Sequence, residues 1–132
     1  MKHKRNIAKF RGTSSRRDAM YRSLAASLIQ YEEIKTTEAK AKGAIPFIER
    51  LVTIAKKGTP ASVRHLESLL PDNKLAVQKL VEVLAGRYAD RDGGFITKVR
   101  LPKRQGDDTR MMKISLVVEE SKKNKKENKG KK

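Results

Sequence analysis

Apolar side chains recur at helical spacing over most of this 132-residue chain and begin to alternate over its last third. Met20, Leu24, Leu28 and Tyr31, with Tyr21 beside them, make one stripe, the mark of an amphipathic helix. Ser15 and Asp18 have the spacing of a capping box, which predicts a start near Arg16. Glu33-Ile34-Lys35-Thr36-Thr37 is short and partly β-branched and fits a strand, with Thr36 or Thr37 placed to cap the next element. A second helix is predicted from about Glu38 to Lys57, stopped by Gly58. Ile45, Ile48, Val52 and Ala55 share its stripe, and Phe47, Leu51 and Ile54 adjoin. Gly43 and Pro46 interrupt it. Proline lacks the backbone donor and crowds the preceding turn, which predicts a kink or a break.

Thr59-Pro60 reads as an N-cap followed by proline at the first helical position, opening a short third helix through about Leu69. Pro71-Asp72-Asn73 is a turn that also caps a fourth helix, which carries Val77, Leu80, Val81 and Leu84 and ends at Gly86. The period then switches. Phe95, Thr97, Val99 and Leu101 alternate with Ile96, Lys98 and Arg100, and Met112, Ile114, Leu116 and Val118 alternate with Lys113, Ser115 and Val117. Two such runs joined by a loop containing Gly106-Asp107-Asp108 predict an antiparallel hairpin, with residues 33–37 as a third strand. About four helices followed by a hairpin make the class α+β. The expected organisation is a basic arm over residues 1–14, one globular domain over 15–118 and a disordered Lys-rich tail over 119–132.

Charge narrows the function. The net charge is +17, and a surface that positive repels itself unless a polyanion screens it. Residues 1–17 hold seven bases and no acid, and residues 119–132 hold seven lysines against three glutamates. Strongly basic ends of this kind often bind nucleic acid, an anionic membrane surface being the other candidate at this charge. No apolar run approaches a membrane span, and the N-terminus lacks the apolar core of a secretory signal. There is no cysteine, so disulfides, thiolate nucleophiles and cysteine zinc sites are excluded.

Catalytic chemistry needs convergent polar groups, and none converge. His65 stands beside Arg64 on a short helix; Glu32-Glu33, Asp90/Asp92 and Asp107-Asp108 have no histidine at metal-ligand spacing; Gly93-Gly94 lacks the rest of a phosphate-binding loop. The chain is read as non-catalytic, with no cofactor, no metal and no small-molecule substrate. The arm reads differently. Lys2, His3, Lys4, Arg5, Lys9 and Arg11 run into a helix that opens Ser14-Ser15-Arg16-Arg17. Free N–H groups, two hydroxyls and two guanidinium groups at a helix N-terminus make a phosphate cradle. Lys98 and Arg100 on one strand and Lys113 on the next offer a basic sheet face, and Arg87 and Arg91 frame a turn with Asp90 and Asp92. Aromatics are 5% of the chain, which favours backbone and shape contacts over base stacking as the main mode of binding.

Several motifs agree in order and spacing with one known family. They are Met1-Lys2-His3-Lys4-Arg5, Ser14 through Arg22, Leu24-Ala25-Ala26-Ser27-Leu28, Glu33 through Thr37 with Ala39-Lys40-Ala41-Lys42, Leu51 through Gly58, and Arg87 through Phe95. Over residues 1–118 the chain resembles the bacterial-type large-subunit ribosomal protein L-seventeen family. The resemblance implies an α+β protein bound to large-subunit ribosomal RNA near the exit of the nascent-chain tunnel, beside neighbouring large-subunit proteins, with no cofactor and no catalysis. It adds Arg22, Lys35, Thr36, Thr37, Lys40, Lys42, Arg87 and Arg91 to the expected RNA contacts. The expected location is the cytoplasmic ribosome, an organellar ribosome being the other host; a start at Met1 speaks against a transit peptide. The chain departs from the family at Gly93-Gly94-Phe95-Ile96-Thr97-Lys98, where Gly-Gly-Tyr-Thr-Arg is usual, and at Gly43 and Pro46, where the helix is normally continuous. A free-standing nucleoid protein is the alternative, but no clear helix-turn-helix reader or groove-binding ribbon is found. An enzyme acting on RNA lacks its acid, base and metal.

Overall fold

The computed structural model describes residues 8–118. The expectations for Lys2, His3, Lys4 and Arg5, and for the tail 119–132, lie outside them. Helix α1 spans Ser14–Tyr31, two residues longer at its start than the capping box predicts. Thr13 holds the N-cap position with extended backbone and no side-chain cap bond, so Ser15 and Asp18 do not form a capping box. The buried face is Ala25, Ala26, Leu28 and Ile29, with Tyr21 and Leu24 packed at its margin. Tyr31, placed on the stripe by its spacing, is 74% exposed. It sits at the last residue of the helix, where Glu32 turns the chain away at φ 62°.

Strand β1 (Glu33–Thr37) follows directly and leads into α2 (Glu38–Ala55). Helix α2 runs unbroken through Gly43 and Pro46, so the expected break does not occur. The carbonyl that Pro46 leaves without a partner belongs to Lys42, an exposed residue, and water can serve it there. Gly43 has a packing reason. A Cβ added to it would lie 2.5 Å from the Tyr21 hydroxyl and 2.9 Å from its ring, so the missing side chain is what lets α1 lay Tyr21 on α2. The helix stops at Ala55, and the turn closes at Gly58, whose φ is 62°.

Helix α3 (Pro60–Leu69) begins as expected, with the Thr59 hydroxyl accepting a hydrogen bond from the Ser62 backbone N–H at 3.2 Å. The fourth predicted helix is a helical run in three parts: α4 (Lys74–Lys79), a π-helical turn (Leu80–Leu84) and α5 (Ala85–Arg87). The wider turn buries Leu80 and Leu84 and leaves Val83 44% exposed. Asn73 holds the N-cap position without a side-chain cap bond.

Strands β2 (Ile96–Leu101) and β3 (Met111–Leu116) pair antiparallel, and β1 joins the other side of β3, giving the order β1-β3-β2. Cross-strand partners share a face. Ile34, Ile114 and Lys98 form one row on the helix side, and Thr36, Met112 and Arg100 form the next. The opposite face carries Lys35, Lys113 and Val99, and beside them Thr37, Met111 and Leu101. Lys98 and Arg100 therefore do not share a face with Lys113, contrary to the single basic face read from the sequence. Met112, Ile114 and Leu116 are buried as their alternation predicts. They meet α1 and α2 in one core, closed at the far end by Tyr88 and Phe95, whose rings lie 5.1 Å apart.

Candidate nucleic-acid interface

Lys9, Phe10, Arg11 and Gly12 form a tight turn, held by the Gly12 N–H donating to the Lys9 carbonyl at 3.2 Å, and deliver the arm onto the start of α1. Phe10 and Arg11 both take left-handed backbone, φ 48° and 49°. That conformation costs roughly 1–2 kcal/mol for each L-residue, and two in a row without glycine are held by their surroundings. Arg17 helps by reaching back to the Gly12 carbonyl, 3.4 Å from its Nη1.

The N-terminus of α1 is electrostatically incomplete. Its first turn contains no acid, Thr13 supplies no side-chain cap, and the Thr13 and Ser15 hydroxyls are 3.1 Å from each other. The helix dipole makes this end partly positive, and Arg16 and Arg17 add two full positive charges to it. In isolation that arrangement is unfavourable, and an arriving phosphate reverses its sign. Ser14, Ser15, Arg16, Lys9 and Arg11 are exposed, and Arg17 and Arg22 are half-buried. Among the described residues, none of the bases Lys9, Arg11, Arg16, Arg17 and Arg22 forms an ion pair.

A second group of bases gathers at the N-terminus of α2 around one acid. Glu38 pairs with Lys42 at 2.7 Å and lies 3.9 Å from Arg100. Its carboxyl is held below the usual range chiefly by the Lys42 hydrogen bond, with Arg100 and Arg110 adding attraction. Nothing in the sequence marks Arg110. It precedes β3, and only the fold shows that its carbonyl receives the Glu38 N–H, which brings it beside Lys40 and Lys42. Thr37 stands half-buried at this junction, while Thr36 faces the core and is buried, so it does not join the surface.

Other expected contacts are placed elsewhere. Arg87 grips Glu32 with two bonds, Nη1 to Oε2 at 2.9 Å and Nη2 to Oε1 at 3.1 Å, instead of pairing with Asp90 or Asp92. Arg91 donates from Nε to the Gly93 carbonyl at 3.2 Å, and its own carbonyl receives the Lys56 amine, which also lies over the Phe95 ring. Lys113 pairs with Glu33 at 2.7 Å, beside the exposed Lys35. Lys98 is exposed near the middle of edge strand β2. The structure thus brings Lys9, Arg11, Ser14, Ser15, Arg16 and Arg17 together at one helix end, and Lys40, Lys42, Arg100 and Arg110 together at another. It leaves Lys35, Lys98, Arg87 and Arg91 apart from both.

Among the described residues no group of His, Cys, Asp and Glu is arranged to hold a metal ion, and no helix is long and apolar enough to cross a membrane. Comparison with known proteins gives a consistent result. The family model described as Ribosomal protein L17 matches residues 20–117. A Hydrogenobaculum protein called large ribosomal subunit protein bL17 is 48% identical over 118 residues, covering 89% of this chain and 99% of its own length. Proteins of the same name from Orientia tsutsugamushi and Agrobacterium fabrum are 44% and 40% identical over 117 residues, covering 80% and 82% of their lengths.

Proposed function

The chain belongs to the ribosomal protein L17 family, and from that premise we propose that it is a non-catalytic structural constituent of the large ribosomal subunit that grips ribosomal RNA by its phosphates. The observation that carries the RNA reading is the first turn of α1: two arginines, two serines, no acid and no side-chain cap at the positive end of an 18-residue helix. A helix start built this way is unfavourable alone and favourable against a polyanion. Lys9 and Arg11 extend the grip toward the arm, and Lys40, Lys42, Arg100 and Arg110 supply a second point of contact. Each base that neutralises a phosphate releases counterions, which supplies affinity without reading sequence. Neutralised phosphates can then pack closely, so the protein serves as a scaffold between RNA segments. The resemblance that runs through residues 1–118 further supports a position near the nascent-chain tunnel exit, with neighbouring large-subunit proteins as contacts.

The test is sedimentation. A tagged copy expressed in a bacterial cell should co-migrate with large subunits and whole ribosomes through a sucrose gradient and stay with them after a moderate salt wash. Recovery at the top of the gradient, or with the nucleoid, would refute the assignment.

A further inference from the structure

We propose that the cleft between the Phe10–Arg11 turn and the first half of α2 receives one unpaired nucleobase, with the adjoining phosphates on Lys40 and Arg110. The proposal rests on the RNA reading above and adds a stated ligand to a cleft whose rim cations that reading already uses. The cleft has a volume of about 960 Å³. The chain has only six aromatic residues, and three of them, Phe10, Tyr21 and Phe47, line this one cleft. Tyr88 and Phe95, by contrast, are sealed in the core. Aromatic side chains on a protein surface are the means by which an unstacked base is held, since each base offers a π-face.

The geometry of the walls is fixed by unusual means. The Phe10 ring stands edge-on to Tyr21, with centroids 6.5 Å apart and planes at 82°. It is presented there by the two successive left-handed residues of the turn. Tyr21 can sit this close to α2 only because residue 43 has no Cβ. Strained backbone and a glycine-dependent ring thus converge on the same partly open cavity, as expected of a ligand site more than of leftover space. The rim has the charge a nucleotide needs. Among the described residues neither Lys40 nor Arg110 forms an ion pair, although Arg110 attracts Glu38, whose close salt bridge is to Lys42. A base entering the cleft would lie against Phe10 and Tyr21 while its phosphates meet Lys40 and Arg110 at the mouth.

A short single-stranded RNA carrying one 2-aminopurine tests this, because that base loses fluorescence when it stacks on an aromatic ring. Titrated with the full chain, the probe should darken several-fold on binding, and the same probe held in a duplex should not. Phe10→Ala removes one wall, and Ala39→Leu fills the cleft from an exposed position of α2 without adding a ring. Both should abolish the darkening, and Ala39→Leu, which lies outside the turn before α1, should still bind the RNA; far-ultraviolet circular dichroism like the parent's shows that both variants fold. Binding by the parent chain without darkening, or equal darkening in parent and variants, rejects the cleft and leaves the phosphate interface standing. Darkening that appears only after residues 1–7 are removed assigns the cleft to the chain's own first residues and overturns the proposal. Absence of any RNA binding rejects the interface and the cleft together.

Discussion

Glu32 and Arg87, separated by 55 residues, meet in a two-pronged ion pair at 2.9 and 3.1 Å that ties the end of α1 to the end of α5. Lys79 joins from α4, 3.0 Å from the same carboxylate, and also donates to the Gln30 carbonyl. Glu32 is where the chain turns from helix to strand. Its backbone is left-handed at φ 62°, its N–H closes α1 onto Leu28, and its carbonyl accepts the Leu116 N–H of β3 at 2.8 Å. The clasp thus holds a junction at which α1, β1, β3 and the last helical run converge.

The clasp should make stability depend on acid. The Arg87 and Lys79 bonds hold the Glu32 carboxyl at about 2 against an ordinary 4.5. A depressed folded-state value adds stability above pH 4.5, and that contribution is lost as the pH falls from 4.5 to about 2. The side chain is 31% exposed, so solvent screening reduces the effect to about 1–2 kcal/mol. Urea denaturation of Glu32→Gln should show a loss of that size at pH 7 and a much smaller loss near pH 2. An equal loss at both pH values would show that the carboxylate charge is not what holds the junction. Asp107→Asn, which disturbs the exposed Arg104 pair of the β2–β3 loop and the bond from the Thr109 N–H, should change stability at pH 7 far less than Glu32→Gln.

Pro46 should be dispensable for the fold and mildly unfavourable to it. Helix α2 is continuous through this exposed residue, so alanine there would restore the hydrogen bond to the Lys42 carbonyl without moving the helix. The gain is offset in part by the freer unfolded chain. Pro46→Ala is expected to stabilise by about 1–2 kcal/mol, seen as a higher melting temperature; a lower one would mean that the ring itself is needed where it lines the cleft.

The segment after Glu120 should be dispensable for assembly. It carries lysines but no apolar anchor, and the family match ends at residue 117. A chain truncated after Glu120 should enter large subunits nearly as well as the full chain in a gradient assay. Loss of incorporation would identify the lysines as a binding element in their own right.

The elements were legible where local chemistry and periodicity agreed. Thr59-Pro60 opens α3 as read, and the alternation of Met112, Ile114 and Leu116 gives the buried face of β3. The misreadings share a cause, which is that long-range packing decided the outcome. Pro46 does not break α2 because the helix is packed along its length on the core, from Ala41 and Ala44 to Ile48, Leu51, Val52 and Ala55. Tyr31 fits the stripe by spacing, yet the left-handed turn at Glu32 ends the helix before the ring can be covered. Lys98 and Arg100 fall on the helix side of the sheet because register follows from pairing with β3, which spacing along β2 alone cannot give. The site was readable in the same measure. A basic helix start is a local pattern, whereas Arg87 meeting Glu32, or Phe10, Tyr21 and Phe47 meeting in one cleft, exists only after folding.

The central claim, that the turn before α1 and the start of that helix bind RNA through phosphates, is tested most directly by a salt titration. Affinity for a fragment of large-subunit ribosomal RNA should be measured from low to moderate salt for the parent chain and for one with Arg11, Arg16 and Arg17 all changed to Ala. Arg11 precedes the helix, and Arg16 and Arg17 lie in its first turn. Removing one arginine from its phosphate should flatten the plot of log affinity against log salt by roughly 0.7 to 0.9. The triple variant should therefore bind more weakly at low salt, with a slope shallower by about 2 to 3. Equal affinity and equal slope for the two chains would contradict the account.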